Sequence, residues 1–184
     1  EIKNVVVVRE SEKSKKPNAV FMGIGSTKTI GLFDTLLHNF PRAEVESVIW
    51  HELGHYVGKD NMKHIVAETA KMALILFIID YAFRTYFILL NVSSFPLIML
   101  SFTLLEILTW PVTNTYSRQL EKNADLFSLE LTKNLNAHIS AERRLADMHL
   151  SELEANPLIE FMFYTHPSPE KRIRYAKEYW KRMK

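Results

Sequence analysis

The sequence predicts a mainly α-helical chain with a small β-sheet, an α+β fold, interrupted by an inserted hydrophobic helical hairpin. Three observations carry this expectation. Short β-branched, strand-like runs occur near the N-terminus, three- and four-residue helical periodicities follow them, and a long apolar block, MALILFIIDYAFRTYFILLNVSSFPLIMLSFTLLEILTWPV, lies between two of the helical segments.

Taken in order, Val5 to Val8 form one strand-like run, and AVFMGIG and TKTIGLF form two more across a small polar turn, so a small sheet is expected. Asp34 is placed to cap a helix over TLLHNF, and Pro41 opens PRAEVESVIWHELGHYVG, whose early acidic residues suit a helix N-terminus. Val45, Val48, Ile49 and Leu53 recur along that segment at helical spacing, so one face packs into a core while His51 and His55 project from another. Gly58 to Asn61 interrupt it. The apolar block then reads as two hydrophobic helices, at about 65–90 and 97–112, because the proline of NVSSFP disfavours one unbroken helix. Lys71, Asp80 and Arg84 lie in the first helix and Glu106 is the only charge in the second; Asp80 and Arg84 are spaced to pair. Downstream, NTYSRQLEKNADLFSLELTKN and ISAERRLADMHLSEL are amphipathic helices, and PEKRIRYAKEYWKRMK is a basic terminal one.

The 184 residues fit one domain, 1–184, and are too few for two independent cores. With 23 basic and 21 acidic residues the formal charge is +2, too small to argue for nucleic acid as a partner. The absence of cysteine excludes disulfides and thiolate ligands, so any bound metal is held by His and carboxylates. The chain begins with Glu, and its opening lacks the layout of a signal peptide; we expect a fragment without N-terminal membrane spans. The residues from Thr85 to Leu105 carry no formal charge, which points the hairpin toward lipid.

The strongest chemical signal is His51-Glu52-Leu53-Gly54-His55. On a helix, two His four residues apart put both imidazoles on one face, where both can reach one zinc ion. Glu52, beside the first of them, can take a proton from water as it attacks a carbonyl carbon. Such a site needs a third ligand. In SRQLEKNADLF, Glu121 and Asp125 are four apart on a predicted helix; Glu121 completes a His/His/Glu set and Asp125 can hydrogen-bond a ligand imidazole. The same spacing also describes an ordinary solvated carboxylate pair, and Arg118 is placed to pair with Glu121 instead. In YTHPSP the prolines hold the backbone extended around His166, which can donate to an oxyanion, while Arg172 on the following helix can contact substrate or an active-site carboxylate. His38, His64, His138 and His149 fit no ligand spacing and read as surface or capping residues. Asn91-Val92-Ser93 matches a glycosylation acceptor at the hairpin tip.

With these elements in order, the chain resembles the type I CAAX prenyl protease family of membrane zinc metalloendopeptidases and, more distantly, the HtpX proteases. The resemblance rests on NAVFMGIGSTKTIGLFDTLL, HELGH, SRQLEKNADLF and NPLIEFMFYTHPSPEKRI. It implies a zincin-like catalytic domain holding one zinc ion per chain through His51, His55 and Glu121, with Glu52 as base and His166 stabilising the transition state. It further implies that Asn18, Ala19 and Gly23 line the substrate cleft, where an extended peptide pairs with the sheet edge. The implied partners are membrane lipid and a peptide or protein substrate, prenylated at its C-terminus in some relatives. The implied setting is an integral membrane protein of the bacterial plasma membrane or the endoplasmic reticulum. A broad-specificity quality-control protease shares every one of these catalytic residues, and a metal-independent membrane adaptor using the basic terminal helix is the non-enzymatic alternative.

Overall fold

The computed structural model describes residues 4–22, 29–86 and 92–183. Three strands, β1 (Asn4–Val8), β2 (Ala19–Met22) and β3 (Thr29–Phe33), are followed by α1 (Asp34–Asn39), α2 (Arg42–Gly58), α3 (Asp60–Thr85), a short 3-10 turn at Val92–Ser94, α4 (Phe95–Thr132), α5 (Leu135–His149), α6 (Pro157–Phe163) and α7 (Pro169–Met183). The predicted mainly helical architecture with a small sheet is what the chain adopts.

The sheet order is β1-β3-β2, with β1 parallel and β2 antiparallel to the central β3, so β2 is an edge strand. Asp34 locks the sheet to α1 by accepting the backbone N–H groups of Glu10, Ser11 and Thr35 and the Ser11 hydroxyl. The sheet packs on α2: Ala19, Ile30, Leu32, Leu36, Phe40 and Val45 form a core, and Val48, Ile49 and Leu53 from α2 close over it. The apolar face predicted for the motif helix is therefore the buried one, and His51 and His55 emerge on its other side.

A chain reversal at Lys59, in the left-handed region at φ 55°, ends α2 and starts α3. Ile75, Ile79 and Phe83, four residues apart on α3, pack against Ile98, Phe102 and Leu105 of α4 and make the seam of the expected hairpin. Outside that seam Leu74, Leu76, Phe77 and Tyr81 of α3 and Leu100, Leu104 and Leu108 of α4 are exposed. The charges embedded here are paired: Lys71 reaches Glu106 across the seam at 3.0 Å, and Arg84 pairs with Asp80 at 2.8 Å. Among the described residues one helix, over Val92–Thr132, is long and apolar enough to cross a membrane, with only 6% of its most apolar window buried. The glycosylation acceptor Asn91 lies outside the described residues.

The second hydrophobic helix does not stop near 112. It runs on through Pro111 into the segment expected to be a separate helix, giving a single helix of 38 residues. Proline in a helix interior lacks an N–H and leaves a carbonyl of the preceding turn short of its donor. Threonines line this stretch and donate to its carbonyls: Thr109 to Glu106, Thr113 to Trp110 and Thr115 to Pro111. The hydrophobic hairpin and the residues carrying Glu121 and Asp125 are thus on one continuous rod.

Candidate active site

Two helices bring the motif residues together. Gly54 of α2 faces Ala124 of α4 so closely that a Cβ on Gly54 would stand 2.9 Å from the Ala124 Cα. This close crossing sets Glu121, one turn before Ala124, against the two histidines, one on either side of Gly54. His51 Nε2 lies 3.1 Å from His55 Nε2, and Glu121 Oε2 and Oε1 lie 3.4 Å and 3.3 Å from those same two nitrogens. A tetrahedral zinc ion with bonds of about 2.0–2.1 Å spaces its ligand atoms about 3.3–3.4 Å apart, so this triangle of two imidazoles and a carboxylate is close to the size such an ion requires and offers suitable donors.

Carboxylates stand behind both imidazoles. His51 Nδ1–H donates to Asp125 Oδ1 at 2.9 Å and His55 Nδ1–H to Asp60 Oδ2 at 3.0 Å. Fixing the proton on each Nδ1 leaves each Nε2 lone pair directed into the triangle. Burial opposes positive charge on His51, yet the hydrogen bonds of Asp125 and Glu121 outweigh it and push the imidazole up to about 10. Burial likewise opposes charge on His55, and the hydrogen bond to Glu121 raises it on balance. The site's field is one that holds a cation. Burial raises Glu52 above its ordinary carboxylate value.

A cavity of about 720 Å³ opens beside the triangle, lined by residues that include Asn18, Ala19, His51, Glu52, Glu121 and His166. Asn18 and Ala19 lead into β2, an edge strand of the sheet among the described residues; Gly23 lies outside the described residues. His166 Nε2 comes within 3.2 Å of Glu121 Oε1 and remains 63% exposed, so its ring reaches the triangle from the solvent side. Arg118 does not compete for Glu121: it donates to the carbonyls of Glu160 and Tyr164 and so pins α6 and the start of the His166 arm to α4.

Arg172 takes the carboxylate-contacting alternative, its guanidinium buried between Asp125 and Glu142, whereas one residue sits differently from its sequence-based reading. His138 is not a surface residue: it is 2% exposed, with Nδ1 3.4 Å from the Ser47 hydroxyl and Nε2 without a hydrogen-bond partner among the described residues. Asp60 and Glu142 were missed altogether. The available signals were an acidic residue directly after the motif helix's break, and a His138–Glu142 pair at helical spacing on the face of α5 that also carries Ala141 and Leu145.

A family model described as Peptidase family M48 matches residues 2–180. The chain belongs to peptidase family M48. Among M48-related proteins of known sequence it is 32% identical to the uncharacterized metalloprotease YhfN of Bacillus subtilis over 95% of this chain and 43% of that protein. It is 30% identical to the CAAX prenyl protease 1 homolog of Dictyostelium discoideum over 89% of this chain and 40% of that one. The chain thus spans less than half the length of these M48 relatives. Among solved structures, Ste24p of S. mikatae superposes with a TM-score of 0.81 at 24% identity, over 95% of this chain and 45% of that chain, a likeness of fold.

Proposed function

We propose that this chain is the catalytic part of a zinc-dependent endopeptidase that hydrolyses peptide bonds at a membrane, with His51, His55 and Glu121 holding one zinc ion and Glu52 as the general base. The observation that carries the reading is the convergence of His51 Nε2 and His55 Nε2, 3.1 Å apart, on the Glu121 carboxylate, whose Oε2 and Oε1 lie 3.4 and 3.3 Å from them respectively, beside a cavity that Glu52 lines. Zinc, when bound, supplies Lewis acidity toward a carbonyl and toward water. The remaining steps belong to the protein. Glu52 takes a proton from the attacking water as its oxygen bonds to the scissile carbonyl carbon, and returns it to the departing amine as the C–N bond breaks. His166 donates from Nε2 to the carbonyl oxygen as it gains negative charge, a contribution of about 3–4 kcal/mol for one well-placed donor. An extended peptide lies along the edge of β2 past Asn18 and Ala19, pairing by main-chain hydrogen bonds. The exposed apolar faces of α3 and α4 are embedded in the bilayer, with the Lys71–Glu106 pair turned inward to the seam.

The kinship with proteins named CAAX prenyl protease favours prenylated C-terminal peptides as the substrate class over unmodified ones. The test is zinc content and peptide hydrolysis of the detergent-solubilised protein beside Glu52→Gln. One zinc in each, with hydrolysis lost by about 10²–10⁴-fold in Glu52→Gln, is the expected result. Equal hydrolysis by both proteins removes Glu52 as the base, and no zinc in either removes the metal site. Faster cleavage of an unmodified peptide than of its prenylated counterpart reassigns the substrate.

A further inference from the structure

Behind His51, on the side away from the triangle, three helices contribute one ion cluster. Asp125 comes from α4, Arg172 from α7 and Glu142 from α5. Arg172 Nε donates to Asp125 Oδ2 at 2.8 Å, its Nη2 donates to Asp125 Oδ1, and its Nη1 reaches Glu142 Oε2 at 2.9 Å. The carboxylates are 1% and 7% exposed. Asp125 Oδ1 is also the atom that accepts the His51 Nδ1–H, and Arg172 Nη2 stands 3.4 Å from that same Nδ1.

This arrangement sets a competition. A guanidinium bound in a fork to Asp125 alone forms a neutral pair, and a neutral pair withdraws the negative charge that makes a ligand imidazole a stronger electron donor. It also brings an N–H of Arg172 toward the N–H of His51. A second carboxylate on the far side of the guanidinium changes both conditions. It draws Arg172 away from His51, and it offsets the arginine's charge so that one net negative charge remains at Asp125. Glu142 is that carboxylate. The low dielectric of the surroundings makes the offset large compared with the same groups in water.

We propose that Glu142 is a positioning residue for the metal site, acting through Arg172 to keep Asp125 a charged acceptor for His51. The inference rests on the zinc reading above and adds a residue that contacts no ligand. It makes a specific demand that a merely structural ion pair does not. If Glu142 matters because it offsets Arg172, then removing Arg172 as well restores the charge at Asp125.

The experiment measures zinc affinity of the detergent-solubilised chain at pH 8, above the value of about 7 to which burial raises Glu142, by competition with a chromophoric chelator, for wild type, Glu142→Leu, and Glu142→Leu combined with Arg172→Met. Outer-sphere partners of ligand histidines change metal affinity by roughly 10–100-fold, and we expect the single variant near the lower end, about tenfold weaker than wild type. The double variant, whose new side chains are close in volume to the old, returns to within about twofold of wild type. Glu142→Gln, which keeps the shape and one acceptor oxygen while removing the charge, gives the same direction where Glu142→Leu fails to fold. Wild-type affinity in a folded Glu142→Leu or Glu142→Gln overturns the proposal, as does a double variant no tighter than the single. Absence of zinc binding by wild type instead removes the metal reading itself, so the two failures are distinguishable.

Discussion

Two clusters of potential metal ligands lie on opposite sides of His51, and they differ in one respect. His51, His55 and Glu121 bring three donor atoms together, and so do Asp125, His138 and Glu142, each group having its donors within 4.8 Å of one another. By distance alone the two are equivalent. The second group, however, is fully buried and already contains a cation, the Arg172 guanidinium bonded to both of its carboxylates. Both groups border the same cavity; the first has no lysine or arginine bonded to its carboxylate, Glu121, among the described residues, and is reached instead by the exposed His166. Proximity of acidic and imidazole groups therefore does not define a metal site; an unmet demand for positive charge does.

The comparison breaks first at Glu121. Replacing it with Ala is expected to weaken zinc binding by more than about a hundredfold and to abolish hydrolysis, whereas Glu130→Gln on the same helix leaves both unchanged; equal effects in a zinc assay would show that the triangle is not the site. Next, Arg172→Met leaves two buried carboxylates without their cation, and we expect a stability loss of about 3–5 kcal/mol in urea unfolding, the cost typical of breaking a buried pair from one side. A loss below about 1 kcal/mol would mean that the cluster is not held by charge.

His138 sharpens the contrast through pH. Burial pushes it down to about 4, so the folded chain binds this proton less readily than the unfolded one, and the stability it contributes is present above about 6.5 and is lost as pH falls toward 4. Burial pushes Glu142 the other way, up to about 7, which favours the folded state as pH falls below 7 toward its ordinary value. The two slopes oppose each other. In His138→Leu only the Glu142 slope remains, and the stability difference between wild type and variant is expected to change by about 3 kcal/mol between pH 6.5 and 4, to wild type's disadvantage. Parallel pH curves for the two proteins would contradict a neutral buried imidazole. The smallest effect is expected at Asp60. Asp60→Asn keeps an acceptor oxygen but not its charge, and zinc affinity falls by roughly 10-fold, at the low end of the range for partners of ligand histidines; unchanged affinity would show that His55 needs no carboxylate behind it.

The chemical residues were the most legible part of the chain, because a helix fixes side-chain direction over four residues. HELGH needs only local periodicity to place His51 and His55 on one face, and the apolar residues Val45, Val48, Ile49 and Leu53 announce which face is buried. Glu121 and Asp125 were legible as a pair of like spacing, without the means to tell ligand from solvated surface. The helix expected to end near 112 runs on instead, and the residues after Pro111 are held by distant segments, Asn114 donating to the Met162 carbonyl and Arg118 to that of Glu160, contacts that no local propensity records.

By itself, then, the sequence determined the elements and the local chemistry: an α+β chain, a motif helix, an apolar hairpin, and which side chains have the acid–base character for metal-assisted hydrolysis. Only the tertiary structure decided which charges meet. The 2.9 Å approach available at Gly54 against Ala124 is a contact between residues seventy positions apart, and it selects Glu121 over other acidic residues as the histidines' neighbour. The burial of Arg172 between Asp125 and Glu142 joins three helices in the same way. Local spacing sets direction on one helix, but electrostatic energy depends on separation in space and on exclusion of water, and both arise only when distant helices pack.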